Sequence, residues 1–203
     1  MPQIYLFNRY DRLSSNCYVL MNGSEYCVID PSISMDTIMK KIGSTIPPSF
    51  VLLTHEHIDH LWEIESYHNS GVKIFCSAIC AKNMINPEIN CSTRIGIKCD
   101  LPSLDFIEVK DNAVIALGDE TLRVIETKGH SAGSVSYLGS SYCFTGDTLF
   151  AEGGYGRYDL LGSDLSELKE SLNKLLNLAG DTVIYPGHGN NSTISETKSF
   201  FNI

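Results

Sequence analysis

The sequence has no run of about eighteen consecutive apolar residues, so a membrane-spanning helix is not expected. Its first ten residues, with Asn8 and Arg9 among them, lack the charged start and long apolar core of a secretory leader, and the expected location is the cytoplasm. Cys-x-x-Cys is absent and the cysteines number seven, an odd count, which argues against both a disulfide framework and a cysteine zinc knuckle. Basic residues are scarce. Fifteen Lys and Arg stand against 24 Asp and Glu, a net charge of −9 with a pI near 5.0. Phosphate backbones and anionic membranes are gripped by clustered Lys and Arg, so neither is an expected partner; a small-molecule substrate is. No fixed-period repeat, low-complexity segment or linker divides the 203 residues, and 43% hydrophobic content is enough for a substantial core, so residues 1–203 read as a single domain. Most of the cysteines read as reduced, small core residues; Cys76, Cys80, Cys91 and Cys99 form the one grouping with scope for redox or metal chemistry.

What is abundant is concentrated. Thr54-His55-Glu56-His57-Ile58-Asp59-His60 sets three imidazoles and two carboxylates in seven residues, directly after the apolar run Phe50-Val51-Leu52-Leu53. An apolar run that stops abruptly in polar residues reads as a buried strand emptying into a loop at the edge of a sheet. Imidazole nitrogen and carboxylate oxygen are favoured zinc ligands and also suit iron, so the cluster reads as a metal site. It is not the helical two-histidine zinc motif, whose ligands stand four apart; His55 and His57 are two apart, which suits an extended turn, and Asp59-His60 would then begin a helix through Leu61, Trp62 and Ile64.

Along the chain, Ile4–Phe7, Cys17–Leu20 and Tyr26–Ile29 read as strands, the last two as a hairpin. Met35, Ile38, Met39 and Ile42 recur at helical spacing behind Ser34 as cap and ahead of Gly43 as stop, with Ile33 and Ile38 placed as a hydrophobic staple. A strand over 72–75 and a helix over 77–85 follow, then residues 86–104, which show no clean period and read as an irregular excursion near the site. Strands are expected over 106–109, 113–117, 122–127, 134–138 and 142–144. Leu165, Leu168, Leu172, Leu175 and Leu176 mark a helix that Asp164 and Glu167 would open as a capping box, and a final strand covers 181–185. Three more polar residues stand just past such strands: His130, Asp147 and His188, each beside glycine, which allows close backbone approach to an ion. Of six histidines only His68 lies outside this pattern.

These pieces resemble the metallo-β-lactamase-fold hydrolases, and within them the glyoxalase II-like group. The matching segments are Thr54–His60, Gly129–Ser134, Phe144–Phe150, Gly156–Asp159 and Tyr185–Gly189, in the family's order and across nearly the whole chain. The resemblance implies an α/β protein, an αββα sandwich of two mixed sheets flanked by helices, with a two-metal site at one sheet edge. Carried over by position, His55, His57 and His130 would hold one divalent ion and Asp59, His60 and His188 the other, with Asp147 between them. Zinc is the expected metal, iron or manganese the alternatives. Asp59 would also orient or deprotonate the attacking water, and Asp30 would orient a ligand.

Departures from relatives narrow the substrate. Lactamases of the fold place Cys, Ser or another residue where Asp147 stands, and quorum-signal lactonases carry Tyr at the position of Phe150, although Tyr155 or Tyr158 could substitute. Glyoxalase II proper adds a carboxyl-terminal helical domain for glutathione, whereas this chain ends fifteen residues after His188. The implied function is hydrolysis of a thioester or related ester. The alternatives are an iron-dependent persulfide dioxygenase, which shares the Gly-Arg-x-Asp stretch, a lactonase, or a binding module without activity. Arg157, Tyr155 and Tyr158 are candidate substrate contacts; an ion pair with Asp159 is the equally weighted alternative for Arg157.

Overall fold

The computed structural model describes residues 2–8, 15–97, 99 and 101–201. Arg9, in the amino-terminal stretch, and Lys98 and Asp100, in the expected excursion, lie outside the described residues. The first sheet is built from β1 (Gln3–Phe7), β2 (Cys17–Asn22), β3 (Glu25–Ile29), β4 (Phe50–Leu52), β5 (Lys73–Cys76) and β6 (Ile107–Glu108), in that spatial order. Its first three strands pair antiparallel and the rest parallel. The second sheet runs β12 (Ser192–Thr193), β11 (Val183–Pro186), β10 (Tyr142–Gly146), β9 (Val135–Leu138), β8 (Glu120–Glu126), β7 (Val114–Leu117), with only the β10–β11 pair parallel. Both sheets are mixed, and helices cover their outer faces: an αββα sandwich.

The two-residue period of a strand sorts side chains into three cores. Tyr18 and Leu20 of β2, Cys27 and Ile29 of β3, and Phe50 and Leu52 of β4 face the second sheet, meeting Leu122, Val124, Tyr137 and Phe144. Their neighbours Cys17, Val19, Tyr26, Val28 and Val51 face outward onto α1 (Met35–Ile42), α2 (Ile64–Asn69) and α3 (Ala78–Asn83). On the far side, Cys143 and Ile184 pack against Leu168, Leu172, Leu175 and Leu176 of α4 (Leu165–Leu176) and Ile194 of α5 (Ile194–Lys198). Strands buried on both faces explain why β3 and β4 read as continuous apolar runs.

Most expected elements are present, and the differences have physical causes. Gly43 ends α1 in the left-handed conformation, φ 70°, with its N–H bonded to the Met39 carbonyl. Asp164 caps α4 by accepting from the Ser166 and Glu167 N–H groups; the return bond of a full box is not among the described bonds. The helix expected from Asp59 starts only at Ile64, after a single 3-10 turn over Ile58–His60. The two groups that would close its first α-turn are engaged elsewhere: Glu63 N–H donates to the Pro31 carbonyl at 2.9 Å, and the Asp59 carbonyl accepts from Ser15 Oγ at 2.9 Å. Strand β12 and helix α5 were not foreseen, though Thr193 and Glu196 form a reciprocal capping box that the sequence spells as Thr-x-x-Glu.

The sheets are stitched at one edge. Asn16 Nδ2, just before β2, and Tyr18 OH from β2 both donate to the Pro186 carbonyl at the end of β11, at 3.0 and 2.7 Å. Tyr137 OH from β9 donates to the Leu53 carbonyl at 2.7 Å. Parallel pairs β3–β4 and β10–β11 deliver their carboxyl ends to this edge, so Asp30, the His55–His60 loop, Asp147 and His188 meet there.

Candidate metal centre

One group of ligand atoms is formed by His55, His57 and His130, a second by Asp59, His60 and His188. In the first, His57 Nδ1 lies 3.1 Å from His55 Nε2 and 2.9 Å from His130 Nε2. In the second, Asp59 Oδ2 lies 3.2 Å from His188 Nε2 and 3.6 Å from His60 Nε2. Asp147 stands between them. Its Oδ1 is 3.4 Å from His60 Nε2, and its Oδ2 is 3.6 Å from His130 Nε2 and 3.4 Å from His188 Nε2.

The ring tautomers follow from what the outer nitrogens meet. Asp30 is buried and accepts three bonds: Thr54 N–H to Oδ1 at 2.8 Å, Thr54 Oγ1 to Oδ2 at 2.7 Å, and His60 Nδ1–H to Oδ2 at 2.8 Å. Because the Thr54 hydroxyl proton goes to Asp30, its oxygen accepts from His55 Nδ1–H at 3.0 Å. His130 Nδ1–H donates to the Arg157 carbonyl at 2.8 Å. In neutral rings of His55, His60 and His130 the Nε2 lone pair is therefore bare and aimed into the site. Asp30 holds this position at φ 53°, a left-handed conformation that Asp tolerates better than most residues.

Charge is distributed unevenly between the two groups. Burial, with His60 and His57 adding to it, lowers the His55 pKa well below the usual imidazole value; burial and the adjacent His130 bring His57 down to about 3. Burial also opposes charge on His60 and His188, but the surrounding carboxylates outweigh it. Asp59, Asp30 and Asp147 raise His60, and Asp147 with Asp59 raises His188 to about 10. For Asp147 burial is opposed by His188 and His60, and its pKa is lowered well below the carboxylate range; His60 and His188 likewise lower Asp59 against its burial.

Buried polar atoms without a partner point to a missing ligand. His60 Nε2 and Asp147 Oδ1, both facing the centre, have none, and nor does His57 Nε2. Converging imidazole lone pairs repel unless a proton or a cation lies between them. The donor set, nitrogen and oxygen only, fits divalent transition ions. Glycine makes room: a Cβ at Gly187 would overlap Asp147 Oδ1, and one at Gly156 would overlap the Asp147 carbonyl.

A scan against family models matches residues 10–188 to the metallo-beta-lactamase superfamily. The chain belongs to the metallo-beta-lactamase superfamily. Within it, a probable polyketide biosynthesis zinc-dependent hydrolase, BaeB of Bacillus velezensis, is 31% identical over 191 residues, covering 92% of this chain and 78% of that protein. Among solved structures, the BLEG-1 B3 metallo-beta-lactamase superposes with a TM-score of 0.86 at 28% identity, covering 97% of both chains. TTHA1623 in a di-iron-bound form superposes at 0.81 and 25% identity, covering 96% of both. The superfamily fold implies divalent metal ions and makes this chain a metal-dependent hydrolase by family. Among the described residues no helix is long and apolar enough to cross a membrane.

All seven expected ligand residues and Asp30 are brought together. A cavity of about 330 Å³ opens above them, lined by His57, Asp59, His130, Asp147 and His188 below and by Arg94, Ile95, Phe150, Tyr155, Arg157 and Leu160 around. Tyr155 and Arg157 thus reach the cavity. Tyr158 is not among its lining residues; it is exposed and lies against the Tyr155 ring, centroids 6.4 Å apart. The Arg157 guanidinium is taken up by Asp159 in a two-pronged pair, 2.9 and 2.7 Å, which lowers the Asp159 pKa to about 2. Of the four cysteines, Cys76 and Cys80 are neighbours buried in the first core and Cys99 packs against that core, whereas Cys91 stands by the cavity.

Sequence reasoning missed two residues. Glu56, inside the histidine motif, is fully buried and accepts from Asn83 Nδ2 at 3.0 Å and Ser131 Oγ at 2.8 Å, tying the loop after β4 to the loop that carries His130. Its place in the motif was visible, but nothing in the sequence showed that it points inward. Arg94 sat in the aperiodic excursion, where only its charge was a signal.

Proposed function

We propose that this protein is a dinuclear metal-dependent hydrolase of thioesters or related esters. The supporting observation is Asp147, whose carboxylate reaches His130 of one triad and His60 and His188 of the other, so that one side chain ties both ion positions together. His55, His57 and His130 would hold one ion, Asp59, His60 and His188 the other. When bound, such a pair of ions supplies a hydroxide at neutral pH and polarises the substrate carbonyl oxygen.

The chain's own groups do the rest. Asp30 and Thr54 fix the rings of His60 and His55, and the Arg157 carbonyl fixes that of His130. Asp59 lines the cavity floor and is placed to accept a proton from the attacking water. Phe150, Leu160 and Ile95 exclude water from the acyl group. A thiolate, whose conjugate acid has a pKa of about 8.5, departs without a strong general acid, which favours thioesters.

The test is turnover by protein of known metal content against thioester, ester, lactone, β-lactam and glutathione persulfide, the last with oxygen uptake followed. Metal-dependent thioester or ester hydrolysis, lost in Asp147→Ala, is the expected result. Turnover confined to the β-lactam, or persulfide oxidation with oxygen consumption, would overturn the reading in favour of a lactamase or an iron oxygenase.

A further inference from the structure

The charged side chains lining the cavity are almost all committed to one another. Asp59 and Asp147 face the imidazoles of His60, His130 and His188 at 3.2 to 3.6 Å. The Arg157 guanidinium is bound at both prongs by Asp159. Arg94 is different: it lines the same cavity and makes no described hydrogen bond or ion pair. Arg94 is exposed at the cavity, where its charge is felt by Asp159 without a direct bond, so the guanidinium can turn to a ligand there.

The segment that presents it is held firmly. Asn90 is completely buried, and its carbonyl accepts from Ile58 N–H at 2.8 Å, next to Asp59 and His60. Its side chain donates to the Met84 carbonyl at 2.7 Å and accepts from Ser92 N–H at 2.9 Å. Between them Cys91 is forced to φ 65°, a conformation that a side-chain-bearing residue adopts only when its surroundings impose it. Arg94 then sits on a 3-10 turn, Thr93–Ile95, closed by Gly96 in the left-handed conformation, while Ile95 packs against the first core. Residues 86–97 thus form a bracket, fastened to the ligand loop through the Asn90 carbonyl, that sets one cation at the cavity.

We infer that Arg94 is the specificity-determining residue of this site and that the substrate carries an anionic oxygen group, carboxylate or phosphate, at the end away from the scissile bond. The guanidinium fork matches either anion with two parallel N–H bonds, and local charge rather than the acidic whole would select the substrate. Ile95, Leu160 and Phe150 add apolar surface to the same cavity, suited to a carbon chain between the anion and the reacting carbonyl. This inference rests on the hydrolase reading above, and the experiment separates the two.

Three thioesters of equal length, ending in carboxylate, phosphate or primary amide, are compared on metal-replete wild-type protein, Arg94→Gln and Arg94→Lys, with metal content and melting temperature confirming that each variant is intact. Wild type is expected to prefer an anionic ester over the amide by about tenfold or more in kcat/KM, chiefly through KM. Arg94→Gln brings that ratio near one, and Arg94→Lys, which keeps charge but loses the fork, falls between. Which anion is favoured tells carboxylate from phosphate. In parallel, binding of the corresponding thioethers, which cannot be hydrolysed, is measured by calorimetry, with the same ratio expected between anionic and amide forms. An anionic-to-amide ratio unchanged by Arg94→Gln in the thioether series, or an amide preferred by wild type, overturns the role of Arg94. Discrimination among thioethers without any thioester turnover leaves Arg94 standing and overturns the hydrolase reading instead.

Discussion

Replacing Asp30 by asparagine should cost the protein its second ion while leaving the first in place. The side chain keeps its size, and asparagine is at ease at φ 53°, so the backbone is not disturbed. What changes is donor and acceptor. Asp30 accepts from Thr54 N–H, Thr54 Oγ1 and His60 Nδ1. In Asp30→Asn the amide oxygen can retain the Thr54 N–H, which turns the NH₂ toward the Thr54 hydroxyl and His60 Nδ1. An NH₂ there favours the His60 tautomer protonated on Nε2, and the lone pair that faced the site is lost. Loss of an outer partner of a metal-bound histidine typically weakens binding 10- to 100-fold, or about 1.4 to 2.7 kcal/mol. The His55, His57 and His130 group touches Asp30 only at one remove, through Thr54 Oγ1 and His55 Nδ1, so its affinity should fall by less than that of the second ion. Competition against a chromophoric chelator resolves the two sites, and elemental analysis after dialysis gives the stoichiometry. A variant that still holds two ions with both affinities unchanged would show that Asp30 does not set the His60 tautomer.

Glu56→Ala strands Ser131 Oγ and Asn83 Nδ2 in the interior and opens a cavity between the two ligand loops, so a stability loss of about 2–4 kcal/mol is expected in urea unfolding of the metal-free protein; Glu56→Gln should lose less than half of that. Gly187→Ala introduces a methyl group where Asp147 Oδ1 lies, and should weaken metal binding at least about tenfold in chelator competition with little change in the far-ultraviolet circular dichroism spectrum. Metal loading should release protons unequally. With His55 and His57 lowered by burial, these rings are already neutral at pH 7, whereas His60 and His188, raised by their carboxylates, are protonated there. The first ion should therefore displace almost no protons from those two rings and the second about two, read as buffer-dependent heats or by an indicator dye. As pH rises toward the His188 value of about 10, release by the second ion should diminish; equal release for both ions at pH 7 would refute the charge distribution.

The centre was more legible than the surroundings because its chemistry is written in residue types that rarely gather by chance. His55, His57, Asp59 and His60 are contiguous, and His130, Asp147 and His188 are marked by strand ends and glycines. The strands were legible for the same reason in another form: one inner and one outer core impose a two-residue alternation on β2, visible as Cys17 and Val19 against Tyr18 and Leu20. What escaped depends on contacts distant in sequence. The false helix start at Asp59 is decided by Ser15 and Pro31, and the inward turn of Glu56 by Asn83 and Ser131. The bracket holding Arg94 has no period to detect, because buried side-chain and backbone bonds, not a repeating apolar face, define its shape. Helix α5 is only five residues long, too short for periodicity, and its Thr193–Glu196 signal was there to be used.

The two sheets divide the chain cleanly: β1 to β6 supply one and β7 to β12 the other, with no strand exchanged. Each layer is thus a contiguous half of the polypeptide, and the cavity-facing ligand groups are shared out between the halves. His55, His57, Asp59 and His60 come from the first; His130, Asp147 and His188 come from the second. A cut in the turn between β6 and β7, around the exposed Asp111 and Asn112, would leave each fragment with its own helices on one face and the inner apolar face uncovered. Neither fragment could complete either triad. Reassociation would rebuild both at once, making this fold a natural complementation pair in which ion binding reports the docking of one half onto the other.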